Sequence, residues 1–244
     1  MDIVDKLLAD QPSFHQHGAA RWDSLPETLR LIQRSVHPGS RTLETGVGAS
    51  TVVFAAGGAV HTAISPDAEE HRRVRAYCNE IGVDDSKLDL IVGLSDDVLP
   101  SMGNARIFDM IFLDGAHSFP YPEVDWHYAT RMLKVGGRML IDDVPIPAVH
   151  PLFRHMSVEP NWDLDGTFDN RSAAFSLSAP PAPEEWSSQP FNRGYPDYSF
   201  VPLLQRAPLV VKAEASRLRR SAARRFPGLR DRWRNVRGSV SADE

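Results

Sequence analysis

Residues 41–65 read RTLETGVGASTVVFAAGGAVHTAIS. A short strand over 41–45 meets two glycines, Gly46 and Gly48. An apolar helix then runs to Gly57-Gly58, and a second strand covers 59–65. Strand, glycine turn, helix and strand make a βαβ unit, which sets the two strands parallel. Glycines at such a turn let the backbone approach a ligand closely, and the helix N-terminus behind them favours anionic or polar groups. A dinucleotide fingerprint needs a third glycine where this chain has Thr51, so a nicotinamide cofactor is disfavoured.

The alternation continues outward. PDAEEHRRVRAYCNEIG (66–82) predicts a helix with acids first and bases after, as its dipole prefers. LDLIVG (88–93) is a third strand and DDVLPSM (96–102) a short helix. FDMIFLD (108–114) is a fourth strand, YPEVDWHYATRML (121–133) its helix, KVGG (134–137) a stop and RMLIDD (138–143) a fifth strand. Continuous apolar runs fit strands buried on both faces. Upstream, SLPETLRLIQRSV (24–36) predicts a helix opened by a capping box from Ser24 to Glu27. Downstream, VHPLFRHM (149–156) is a short helix, and NWDLDGTFDN and RSAAFSLS meet at Asp169-Asn170 as a hairpin. The expected fold is therefore α/β: a doubly wound, Rossmann-like, mostly parallel sheet with a C-terminal antiparallel hairpin.

The chain has 244 residues, enough for a full core, and an ordinary globular composition. Its single cysteine, Cys78, rules out an internal disulfide and shares a helical face with Val74 and Ile81, as a core thiol would. No cysteine or Cys/His zinc spacing occurs. MDIVDKLLADQ lacks a basic segment and a long apolar stretch, so it does not read as a signal peptide, and the longest apolar run is too short to span a bilayer. A soluble, cytoplasmic protein is expected. The net charge of −5 conceals an asymmetry: residues 205–244 carry eleven Lys/Arg against four acids. We expect a domain body over 1–180, a Pro- and aromatic-rich extension over 181–204, and a basic, helical or disordered arm over 205–244.

Two buried-looking strands end in carboxylates: Asp114 after the fourth, Asp142 and Asp143 after the fifth. In an open parallel sheet, ligands sit beyond those carboxyl ends, so the three acids converge on one rim. Like charges so close are unfavourable unless protonated or neutralised by a cation. Hard oxygen donors without cysteine suit Mg²⁺, with Mn²⁺ or Ca²⁺ as alternatives. Read singly, a strand-end acid more often caps a helix or meets solvent. His117, three residues past Asp114, reads as a general base, a further ligand, or a loop histidine bonded to an acid. His150 and His155 read as structural, and Glu123 and Asp125 as acids serving a helix dipole.

LETGVGAS, the five βα units with a closing hairpin, IVGLSDDVLPSM, FDMIFLDGAHSFPY and GGRMLIDDVPIP together resemble the class I S-adenosylmethionine-dependent methyltransferases. Within that class they are similar to metal-dependent, catechol O-methyltransferase-like enzymes and to bacterial small-molecule and sugar O-methyltransferases. The resemblance covers residues 24–178. It implies a methyl-transferring enzyme acting on a hydroxyl of a small molecule or sugar. It also implies S-adenosylmethionine bound at Glu44, Gly46, Gly48 and Ser50 on the methionine side and at Ser95 and Asp96 on the adenine side. Asp114, Asp142 and Asp143 would be the metal ligands, with Asp143 where relatives carry asparagine. Asp114 would also border the cofactor and take part in catalysis with His117, which stands where relatives carry a catalytic lysine. An acid usually ends strand two to hold the ribose; here Ala63 and Ser65 stand there, and Asp67 comes two residues late. Either Asp67 reaches back or the ribose is held differently. An RNA methyltransferase and a non-catalytic interaction module are the competing readings; the acidic body and the absence of a base-methylating motif speak against nucleic acid.

Beyond the domain, Leu218, Ala222 and Phe226 form one apolar stripe among arginines. Pro227-Gly228 interrupts it, and Leu229, Trp233 and Val236 begin another. Such an arm lies on an anionic membrane surface, meets phosphates, docks on a sister subunit, or stays solvated. Phe191, Tyr195, Tyr198 and Phe200 would cover the substrate pocket or form a homodimer contact.

Overall fold

The computed structural model of the chain describes residues 2–15, 25–182, 185, 186, 188–193 and 197–225, the side chains of 220–225 aside. Ser24, Tyr195 and everything beyond Arg225 lie outside the described residues, and with them the expected capping serine and the second apolar stripe. The chain divides into two compact units, residues 1–191 and 192–244.

In the first unit, α1 (Ile3–Asp10) is capped by Asp2, whose carboxylate accepts from Val4 N at 3.0 Å. Then come α2 (Pro26–Ser35), β1 (Arg41–Thr45), α3 (Ala49–Ala56), β2 (Val60–Ser65), α4 (Ala68–Ile81) and β3 (Leu88–Val92). After α5 (Ser95–Val98), with a 3-10 turn behind it, follow β4 (Phe108–Leu113), α6 (Tyr121–Met132), β5 (Leu133–Ile141), α7 (His150–Met156), β6 (Trp162–Phe168) and β7 (Ser172–Leu177). The strands form one sheet in the order β3-β2-β1-β4-β5-β7-β6. All neighbours are parallel except β7, which runs against both β5 and β6. The doubly wound sheet with its terminal hairpin is thus the architecture the pattern predicts.

Because side chains alternate across a strand, β4 feeds both faces. Met110 and Phe112 join a core with Val4, Ile32, Phe54 and Val74, whereas Ile111 and Leu113 join Leu99, Met132, Leu152 and Phe175 on the other side. Helix α3 is buried from Ala49 to Ala55, which explains its apolar sequence. Cys78 is fully buried and its thiol is pushed up to about 11 by desolvation, an inert core position.

Two local expectations change. KVGG does not stop a helix before a strand; it lies inside β5, where the pairing with β4 slips between Phe108 and Met110 and Gly136 takes φ +82°. The glycines accommodate this irregularity, which a period-based reading mistakes for a turn. The capping partner of Glu27 is Asp169. Its carboxylate accepts from Glu27 N at 3.2 Å and Thr28 N at 2.9 Å, while Asp169 N donates to Glu27 Oε2 at 2.8 Å. A reciprocal cap is thereby built across the hairpin turn, whose central residues Asp169 and Asn170 have φ +54° and +56°.

In the second unit, α8 spans Leu203–Arg225 with Pro208 inside it, starting well before the stripe read from sequence. Leu203, Leu204, Val211 and Leu218 are exposed along it. Among the described residues, no helix is long and apolar enough to cross a membrane.

Candidate active site

The strand order reverses between β1 and β4, and a crevice opens at such a switch point. There, a cavity of about 430 Å³ is lined by the glycine turn, the ends of β2 and β4, the start of α5 and residues 114–117. Gly46, at φ +105°, donates its N–H to Ile64 O at 2.8 Å, and a β-carbon on it would run into the Asp114 carbonyl. Only glycine fits that crossing of two strand ends. Gly48 and Ser50 also line the cavity, and His15 from the N-terminal segment lies over Gly48.

Glu44 does not line the cavity. It is 1% exposed behind the turn, where it accepts from Ser50 Oγ and from Thr51 Oγ1 at 2.7 Å, with His61 Nε2 3.3 Å away. It ties α3 to β1 and so holds the turn from beneath.

At the β2 edge the late acid and the missing acid resolve into two residues. Asp67 borders the cavity, but its carboxylate caps α4, accepting from Glu69 N at 2.7 Å. The buried acid facing the cavity is Glu70, which sequence reasoning missed. Its two oxygens accept from Ser65 Oγ at 2.7 Å and meet His15 Nδ1 at 2.6 Å. Those bonds hold its carboxyl below the usual range despite desolvation. In sequence, Asp67 and Glu70 have capping-box spacing, which disguises the second acid as a helix signal.

On the opposite side Leu94, Ser95 and Asp96 line the cavity, and Asp96 Oδ1 is buried with no hydrogen-bond partner among the described residues. Asp125 is no dipole acid. It is buried under Gly115, and desolvation raises its carboxyl to about 6 against the pull of the Ser95 and Thr45 hydroxyls.

The rim carboxylates converge as expected, and the structure adds a cation among them. Arg171, from the hairpin turn, places Nη2 2.6 Å from Asp142 Oδ2 and Nε 2.7 Å from Asp143 Oδ1. Ser172 Oγ donates to the other Asp142 oxygen at 2.5 Å. His117 stands between the remaining acids, with Nδ1 3.5 Å from Asp143 Oδ2 and Nε2 3.7 Å from Asp114 Oδ1. Its Nε2 is buried without a hydrogen-bond partner among the described residues, and desolvation holds the ring below the ordinary histidine value against the pull of Asp143. The Asp114 carboxyl is driven well up by burial, then by the charges of Asp142 and Glu44. The donor set does not fit a divalent ion: both Asp142 oxygens are engaged, and the Arg171 guanidinium lies against Asp142 and Asp143. Among the described residues, no group of His, Cys, Asp or Glu is arranged to hold a metal ion. Arginine 171 carried no signal in the sequence, because only the folded hairpin brings it to strand five.

Comparison with known proteins agrees with this fold. The family described as "Methyltransferase domain" matches residues 43–144, from the glycine turn to just past the rim acids. No curated protein matches the chain by sequence. Among solved structures, the O-methyltransferase of tomaymycin synthesis from Streptomyces achromogenes, in complex with S-adenosylmethionine, is similar at 15% identity and TM-score 0.56. The match covers 73% of this chain and 91% of that one. An O-methyltransferase from Bacillus cereus with S-adenosylhomocysteine gives 16% and 0.56, over 72% and 91%. A Podospora anserina methyltransferase with S-adenosylhomocysteine gives 18% and 0.55, over 72% and 88%.

Proposed function

We propose that this chain, a class I methyltransferase in its fold and its matched domain, transfers a methyl group from S-adenosylmethionine to a hydroxyl of a small molecule or sugar. The observation that carries the reading is one cavity with a glycine turn on one wall and a partly desolvated imidazole on the other. In this reading Gly46, Gly48 and Ser50 border the methionine portion of the donor. Glu70 and Ser65 take the ribose hydroxyls, which answers the missing strand-two acid. Ser95 and Asp96 face the adenine, whose amino group would satisfy the unpartnered Asp96 Oδ1.

The donor supplies an electrophilic methyl on a sulfonium. Asp143 favours the Nδ1–H tautomer of His117, which leaves the Nε2 lone pair to receive the acceptor's hydroxyl proton. As the oxygen–carbon bond forms, the carbon–sulfur bond breaks and its electron pair stays on sulfur, giving a neutral thioether. Asp114 lines the same cavity beside His117; burial drives its carboxyl up, and the positive charge of the sulfonium would favour its ionised form. The rest is positioning of oxygen, carbon and sulfur in line.

The test is a methyl-transfer screen with labelled donor over hydroxylated acceptors, run with and without a chelator. The reading predicts labelled ether product from at least one acceptor class, undiminished by chelation. Label appearing only in RNA or protein would contradict it.

A further inference from the structure

We propose that Arg171 is a built-in cation that fills the place where the rim carboxylates would gather a divalent metal, so that the site works without one. The catalytic consequence rests on the methyl-transfer reading, but the exclusion of metal does not.

Three acids, Asp114, Asp142 and Asp143, end two adjacent strands, and Glu44 lies close enough behind to act on Asp114. Such a concentration of negative charge needs a positive partner. A loosely placed surface arginine would be a weak candidate, since exposed ion pairs contribute little. Arg171 is not loosely placed. Its own N–H closes the hairpin on Phe168 O at 3.0 Å, and its carbonyl accepts from Val144 N at 2.9 Å. The turn that presents it is pinned to α2 by Asp169. From there the side chain contributes to the wall of the cavity, 24% exposed, with Nη2 donating to Asp142 and Nε in ion-pair contact with Asp143.

Coordination arithmetic makes the exclusion specific. A divalent ion needs oxygens at about 2.0–2.6 Å with lone pairs free to point at it. Asp142 gives one oxygen to Arg171 and the other to Ser172; Asp143 sets one oxygen in ion-pair contact with Arg171, 2.7 Å from Nε, and the other 3.5 Å from His117 Nδ1. An ion entering here would have to displace the guanidinium or lie against it. A guanidinium does part of what a metal does, because it neutralises the rim and stabilises charge developing on the attacking oxygen. It does not chelate.

The experiment is a titration of the full chain with Mn²⁺, followed by electron paramagnetic resonance of the free ion, without donor or acceptor present. Wild type is expected to leave the free-ion signal unchanged. Arg171→Met is expected to deplete it, binding at least about tenfold more tightly, and Arg171→Lys to behave as wild type. Should Arg171→Met lose its melting transition, Arg171→Gln, which keeps a donor for Asp142, carries the same expectation. Wild type that depletes Mn²⁺ as strongly as the neutral variants would overturn the proposal, as would a folded neutral variant that binds none. Because the readout involves no methyl donor, a failure here is distinct from a failure of the methyltransferase reading.

Discussion

The narrowest prediction concerns His117. If its Nε2 takes the acceptor's proton, His117→Ala should lower kcat by about 10²–10⁴, the usual worth of a positioned general base, with donor affinity little changed. Burial lowers its pKa, so the ring is already neutral at neutral pH and becomes charged only on acidification. The rate should therefore be flat near pH 7 and fall on the acid side with a midpoint below the ordinary histidine value of about 6.5. A midpoint above that value, or a variant with near-normal kcat, would remove His117 from the role. What sequence could offer here was uneven. The acids at strand ends and the histidine were legible, because strand periodicity places them on the rim. Glu70, Asp125 and Arg171 were not. Each carries a plausible local explanation (a capping position, a helix dipole, a turn charge), and only tertiary packing turns it toward the cavity or the acids.

Among the elements, the hairpin β6–β7 does more than close the sheet. Its turn caps α2 through Asp169 and sends Arg171 and Ser172 to Asp142. Thr28 Oγ1 extends the same network, lying 2.9 Å from Ser172 Oγ. Losing the cap and forcing alanine into a positive-φ position should make Asp169→Ala cost about 2 kcal/mol, or roughly 4–8 °C in melting temperature for a domain of this size. Asp169→Asn tolerates the backbone and keeps one acceptor, so it should lose distinctly less. Equal losses in calorimetric melts would mean that the cap is not what matters. The hairpin itself was readable from Asp169-Asn170, since both residues accept φ > 0 more readily than most. That its turn would cap a helix 142 residues away was not, because a helix N-terminus shows in sequence only its local candidates.

For the whole molecule, βα alternation determined the sheet, and the sheet determined where a ligand could go. The order 3-2-1-4-5-7-6 follows from parallel pairing around β1 and a final hairpin, so the crevice between β1 and β4 is a consequence of topology. The cofactor's identity is a finer matter, and it rests on the glycine turn, the buried Glu70 and the unpartnered Asp96 oxygen. The most direct measurement is a calorimetric titration of the chain with S-adenosylhomocysteine. Saturable one-to-one binding that weakens in Glu70→Gln is the predicted result. No heat, no saturation, and no shift in melting temperature with either S-adenosylhomocysteine or S-adenosylmethionine would contradict the account at its centre.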